Sequence, residues 1–350
     1  MPAPMPAPLS APMPANVTPF GRTAAGQTVA AIRIGSADLA VTILSFGAAL
    51  QDLRLTGVPH SLTLGGPDMA AYEGPMGYFG TIVGPVANRL AGSQAWIAGH
   101  LYRFPANEGT TLLHGGATGT QARVWSVEDA TATGLRLSLT LEEGDDGFPG
   151  RRQITADYSV AGSTLTLRLS ATTDASTLMN LASHSYWNLT GTPTTAGHRL
   201  TVAADAYLPT DAANIPTGEQ RPVTGAFDLR QPRRIDGTEG WDHNFCLCPA
   251  PRALTDVATL TGGQVAMTLA TTEPGLQVYD GRGIGTGPFG GHSGRPYGPF
   301  AALALEAQLW PDAPNQSGFP PVTLDPGATY RQETQWRFAK VQVSSQMPEE

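Results

Sequence analysis

From about residue 20 the chain alternates apolar and polar residues over short stretches that end at glycine, proline or asparagine, the pattern of half-buried strands. "TVAAIRIG", "LAVTILSF" and "LQDLRL" open the series. "QAWIAGHLYRF" predicts a hairpin turning near Gly99, "WSVEDATATGLRLSLTLEE" one near Gly134, and "RRQITADYSVAGSTLTLRLSATT" one at Ala161, Gly162 and Ser163. Later strands are predicted in "VATLTGGQVAMTLATT", "LQVYD", "FAALALEAQL" and "ATYRQETQWRF". No amphipathic helix longer than two turns is visible, and strands follow one another without a break in composition. The expectation is all-β: one large antiparallel β-sandwich domain over 20–342, with a mobile Pro/Ala-rich arm over 1–19 and a tail over 343–350.

Two stretches carry more than alternation. In "LMNLASHSYWNLTG", residues 178–191, one face would hold Met179, Leu181, Trp187 and Leu189, and the other Asn180, His184, Tyr186 and Asn188. The first face reads as core, the second as a surface that a polar ligand would touch. In "AALALEAQLWPDAPN", residues 301–315, Ala301, Leu303, Leu305, Ala307 and Leu309 share a face, and Ala302, Ala304, Glu306 and Gln308 share the other. A carboxylate in such a strand is costly to bury alone, so Glu306 must meet a partner or a ligand. A structural ion pair would satisfy it, as a core hydrogen bond would satisfy His184. Because both stretches divide in the same way, a converging acid and base is the stronger expectation.

Composition narrows the class. Among 350 residues are 41 Gly and 30 Pro, which suits many short strands joined by turns. The formal net charge of −8 argues against nucleic acid or an anionic membrane as partner. Cys246 and Cys248 stand too close along one strand for an unstrained bridge, lack further metal ligands nearby, and read as buried free thiols of a reducing compartment. The opening "MPAPMPAPLSAPMPANVTPF" is not a secretory signal as written, and no apolar run approaches the ~20 residues that span a bilayer. A soluble cytoplasmic protein is expected, with the periplasm left open, as a monomer or weak homodimer. The glycine-rich stretch 281–300 echoes a dinucleotide loop without the helix such a loop requires; it is expected to be a long loop bordering the site. His60, His100, His198 and His292 are expected to be solvated, and His243 to point away from Asp242.

The motifs "GPVANRLAGS", "LLHGG", "MNLASHSYWNLTG", "YLPTDAANIPTGE" with "FDLR", "GWDHNF", "TTEPGLQVYDG" and "LEAQLWPDAPNQSGFPPVTLDPGATY" resemble, in order, those of the aldose 1-epimerase (galactose mutarotase) family, from about residue 20 to about 340. The resemblance implies the galactose mutarotase-like sandwich and interconversion of the anomers of free aldoses. It also implies roles: Glu306 as the general base on the anomeric hydroxyl, His184 as the general acid on the ring oxygen, and His114 as a second histidine beside that oxygen. Asp242 and Arg89 match residues that hold sugar hydroxyls, with Asn88 and Gln277 lining the same pocket. One position departs from the family: Pro85 follows Gly84 where an arginine is usual, which touches the local backbone and, by expectation, sugar preference. Trp187 and Trp310 stand beside the acid and base motifs, where a ring could stack on a sugar or pack in the core.

The chemistry so implied needs proton transfers alone, so no metal and no organic cofactor is expected, and the partner is a monosaccharide. Three other readings compete. A sugar-phosphate epimerase would need several cations around the pocket, whereas Arg89 is the one cation that the motifs assign to it. A glycoside hydrolase would use Asp242 and Glu306 as its carboxylate pair and leave the histidines without a role. A non-catalytic sugar-binding module would not need a matched acid and base.

Overall fold

The computed structural model describes residues 16–237 and 239–341, so most of the expected N-terminal arm and the C-terminal tail lie outside the described residues. The strands begin earlier than expected, since Val17–Arg22 already pairs with Thr28–Gly35. Among the described residues the single α-helical turn is Met69–Tyr72, and antiparallel strands make up nearly all other regular structure.

The predicted hairpins form. Gln94–Ile97 pairs with His100–Arg103 around Gly99, whose φ of +81° is the left-handed region that glycine enters freely. Arg152–Ala161 pairs with Thr164–Thr173 along its whole length. These two strands lie in a nine-stranded sheet whose order is Ser126–Ala130, Gly134–Leu141, Arg152–Ala161, Thr164–Thr173, Tyr330–Lys340, Val265–Thr271, Thr255–Gly262, Arg199–Val202, Arg233–Arg234. The last long strand of the chain is therefore inserted at the centre of the sheet, which ties the two halves of the sequence together. A six-stranded sheet runs Tyr186–Trp187, Leu303–Gln308, Gly275–Tyr279, Asp242–Cys246, Ala206–Tyr207, Arg221–Pro222, and a four-stranded sheet is built from residues 17–55.

Alternation decides how the sheets stack. From the nine-stranded sheet Ile154, Tyr158, Leu167, Leu169, Trp336 and Phe338 face inward, and Leu303, Leu305 and Ala307 meet them from the six-stranded sheet in one apolar cluster. Trp187 lies in the same cluster with its ring 5.7 Å from that of Trp336. Burying each such side chain is worth about 1.5–3 kcal/mol. The opposite face of the six-stranded sheet is left for polar groups, roofed by the segments around Tyr72, Phe79, Ile284 and Tyr297.

Residues 178–191 are not one strand. They break into Thr177–Leu178, Ala182–Ser183 and Tyr186–Trp187, each paired with a different partner. The sidedness survives, with Met179, Leu181, Trp187 and Leu189 all in the core. Asn180 and Asn188, however, serve the backbone and not a ligand. Asn180 exchanges hydrogen bonds with Leu309, and Asn188 donates to the Ala301 and Thr192 carbonyls while accepting from the Thr190 and Gly191 amides. A strand broken twice leaves backbone groups that must be satisfied from side chains.

Other expectations need correction. Trp310 is buried, donates through Nε1 to the Pro274 carbonyl and packs edge-on against Phe319, so neither tryptophan is a stacking platform. His198 is fully buried, with Nε2 accepting from the Leu189 amide, and His60 and His292 are bound to backbone carbonyls; of the four, His100 is the exposed one. Cys246 and Cys248 are unbridged, as expected, but half-buried and not buried.

Where the chain passes from the nine-stranded to the six-stranded sheet, Glu273 is 1% exposed and its Oε2 has no partner. Burial pushes this carboxyl up to about 8. The folded state then keeps a proton that the unfolded chain releases above its ordinary value of 4.5, so stability falls as pH rises through this window and stays low above about 8. Glu273→Gln should be more stable than the wild type at pH 9 by about 1.4 kcal/mol or more, a tenfold change in the folding equilibrium, and show no advantage at pH 4. Thermal melts at both pH values would reveal a wrong assignment if the gap did not widen with pH.

Candidate active site

Cross-strand register assembles the site. Asn244 pairs with Gln277, and Gln277 with Glu306. Tyr186 pairs with Ala304, so His184, two residues before it, continues the row beyond Glu306. Cross-strand partners share a sheet face, and residues two apart on a strand do likewise. One polar row therefore crosses four neighbouring segments, and a second row of Asp242, Tyr279, Ala304 and Tyr186 lies beside it.

Above these rows is a cavity of about 570 Å³ lined by Tyr78, Asn88, Arg89, His114, His184, Tyr186, Asn214, Asp242, Tyr279, Arg282 and Glu306, among others. His184 Nε2 stands 3.6 Å from Glu306 Oε1, and both side chains are nearly inaccessible. Burial dominates their ionisation. It pushes Glu306 up to about 8, with Asp242 adding to the rise and Arg89 opposing it. It pushes His184 down to about 4, a contact with its own backbone opposing. Between those values the two groups hold one proton between them.

His114 enters from the opposite wall. The short strands Arg89–Leu90 and Leu112–Leu113 pair, and facing each other at one end of that pair Asn88 and His114 both take left-handed backbone conformations, φ +61° and +51°. Non-glycine residues rarely adopt this region, and its concentration here marks geometry held by its surroundings. The Asn88 amide N–H donates to His114 Nδ1 at 3.1 Å. The ring proton is thereby placed on Nε2, and burial keeps the imidazole neutral, its pKa well below the ordinary value. His114, His184 and Glu306 present ligand atoms all within 4.8 Å of one another, a spacing that would suit a cation. A metal-binding histidine donates its outer N–H to an acceptor; His114 accepts there instead, and so turns a donor, not a lone pair, toward the cavity.

Arg89 is held in a two-pronged pair with Glu108, at 2.5 and 2.9 Å, with its Nη1 4.0 Å from Asp242. Asp242 also accepts from Gln277 Nε2 at 2.7 Å. Gln277 thus stands behind the cavity wall and orients Asp242, where the motif alone placed it in the lining. His243 turns away, its ring against Tyr207 and Phe227. Pro85 sits next to Gly84 behind His114, where its carbonyl accepts from the Asn180 amide and its ring crowds Gly115.

The structure brings together Glu306, His184, His114, Asp242, Arg89 and Asn88. Sequence reasoning missed Tyr78, Asn214, Tyr279 and Arg282 as wall residues, and Glu108 as the anchor of Arg89. Three signals existed: Asn214 lies inside "YLPTDAANIPTGE", Tyr279 inside "TTEPGLQVYDG", and the loop expected to border the site does so through Arg282 to Gly285. Tyr78 carried none.

A family model described as aldose 1-epimerase matches residues 30–337. The galactose mutarotases of Mus musculus and Bos taurus are each 36% identical to this chain, covering 92% and 89% of it and 98% and 94% of their own lengths. Among solved structures, an aldose epimerase homologue from C. elegans superposes with a TM-score of 0.83 at 30% identity, covering 89% of this chain and 99% of its own.

The tautomer of His114 is open to direct measurement. ¹⁵N NMR of the labelled imidazoles should show His114 neutral with its proton on Nε2 at pH 6.5, where an ordinary imidazole is half charged, and above. A charged ring at pH 6.5, or a proton on Nδ1, would contradict the Asn88 contact.

Proposed function

This chain belongs to the aldose 1-epimerase family, and from that premise we propose that it interconverts the α and β anomers of free aldoses with Glu306 and His184 as its proton-transfer pair. The observation that carries the reading is the 3.6 Å contact between these two groups at the floor of a cavity large enough for a monosaccharide. Opening a hemiacetal ring requires loss of the C1 hydroxyl proton and gain of a proton by the ring oxygen. Glu306 as carboxylate takes the first while His184 as imidazolium gives the second; the C1–O5 bond breaks and an aldehyde forms. Rotation about C1–C2 exposes the other face, and the same two protons return as the ring closes. His114 Nε2–H donates toward the ring oxygen, and Arg89, Asp242 and Asn88 hold hydroxyls in place.

The exchange must run in both directions, so each group must be able both to take and to give a proton. In water a histidine is far more basic than a carboxylate. Burial raises one and lowers the other, which reverses that order: the resting pair keeps its single proton on Glu306, and passing it to His184 makes the carboxylate and imidazolium that open the ring.

Two alternatives lose support. Arg282 adds a second cation to the cavity, but Arg282 is taken up by Asp280 at 3.0 Å as Arg89 is by Glu108, which leaves no open cationic cluster for a phosphate. Hydrolysis by Asp242 and Glu306 would leave the His184–Glu306 contact without a role. We further propose a cytoplasmic location, with the periplasm left open, and a monomer or weak homodimer; the two unbridged cysteines support the former.

Polarimetry on freshly dissolved α-glucose, α-galactose and a pentose tests the proposal. The wild type should speed the decay of optical rotation, with a bell-shaped pH dependence whose limbs fall near 4 and 8. Glu306→Gln and His184→Asn should each lower the rate by about 10²–10⁴-fold with the fold intact. Retention of the wild-type rate by either variant would refute the assignment.

A further inference from the structure

We infer that Asn244 and Gln308 bind internal water against the buried side of Glu306 and so position its carboxylate for proton transfer. The inference rests on the reading of Glu306 as the base. Neither residue belongs to the cavity lining, and neither touches the reacting atoms; both act through Glu306.

Gln308 follows Glu306 by two residues on the same strand and face, and pairs across the sheet with Gly275. Asn244 reaches the same spot from the other side: a Cβ built on Gly275 would collide with Asn244 Oδ1 and lie 3.0 Å from the Trp310 ring. Glycine at 275 is what allows the Asn244 amide to lean over the strand toward Gln308 beneath Trp310. Asn244 is 2% and Gln308 0% exposed.

The hydrogen-bonding inventory then points to a ligand. Both amide atoms of Asn244, both of Gln308, Oε1 of Gln277 and Oε2 of Glu306 are buried and have no protein partner. Four of these atoms are acceptors and two are NH₂ donors, all on one continuous face. Native proteins leave few such groups unpaired, and the usual partner of a buried polar cluster whose members do not bond one another is ordered water with two to four contacts. Water suits this place because it offers both donors and acceptors to a cluster that holds both.

The consequence falls on Glu306. Its carboxylate is faced by His184 at 3.6 Å, by His114, and at longer range by Asp242, Arg89 and Tyr186. Water held by the two amides adds donors on the other side, and donors to the charged form favour it. Removing the amide that holds the water makes the carboxylate harder to form. Two changes must then appear together. The pair retains its last proton to higher pH, and the share of molecules with a carboxylate beside an imidazolium falls across the plateau.

The test is the pH profile of mutarotation by Gln308→Leu, with Gln308→Met as a second variant that keeps the length of the side chain should leucine impair folding. Expected are a plateau rate about tenfold below wild type, an alkaline limb displaced upward by about one pH unit, and an unchanged KM. A crystal structure of the wild type at a resolution that shows ordered solvent should place water on Gln308 and on Asn244. A fall in rate with an unmoved or downward-moved limb, an unchanged profile, or amides bonded to protein alone would overturn the inference. If Glu306→Gln keeps the wild-type rate, the reading of the site itself fails. If Glu306→Gln is inactive and the Gln308 variants behave as wild type, only the present inference does.

Discussion

A carboxyl and an imidazole buried against each other at 3.6 Å impose the central constraint on this molecule. In water the two would hold opposite charges over a wide range of pH; here burial moves each toward its neutral form. The pair rests as a carboxylic acid beside a neutral imidazole and holds one proton, whose passage between the partners a reversible opening and closing of a ring demands. Bulk solvent would restore the ordinary order of basicity, so the pair must be shielded from it, and a shielded polar site is expensive. Each buried group left unpaired costs about 1–3 kcal/mol.

The fold meets that cost by division of labour. One face of the six-stranded sheet is packed by Leu303, Leu305, Ala307 and Trp187 onto the nine-stranded sheet, which supplies cohesion independent of the chemistry. The opposite face is then free to hold the polar row from Asn244 to His184. Helpers on the far wall are fixed by their own pairings: Glu108 grips Arg89, Gln277 grips Asp242, and the Asn88 amide sets the tautomer of His114. Left-handed backbone at Asn88 and His114 stores a further ~1–3 kcal/mol each and turns both side chains toward the cavity.

Two buried carboxyls, Glu273 and Glu306, share a direction of shift but differ in place. Glu306 faces the cavity and a histidine. Glu273 lies at the passage between sheets, outside the lining of the cavity that holds Glu306, so its proton bears on stability. A raised carboxyl pKa therefore identifies burial, and only geometry separates a working acid from a buried one.

Alternation along the chain determined the strands, the hairpins at Gly99 and Gly162, the inward faces of the sandwich, and the fact that His184 and Glu306 stand on polar faces backed by core. Those properties are local, because a strand's two-residue period is written into neighbouring residues. The motifs carried the identity of Glu306, His184, His114, Asp242, Arg89 and Asn88 as a group. Only the tertiary structure decided that residues 178–191 form three pieces, that Asn180 and Asn188 serve the backbone, that Gln277 stands behind Asp242, and that Tyr78, Asn214, Tyr279 and Arg282 complete the wall. It also decided that Trp310 is core and that Gly275 makes room for Asn244. Each of these depends on register between strands far apart in sequence, and a pairing set by packing across sheets leaves no trace in the pattern of either strand alone.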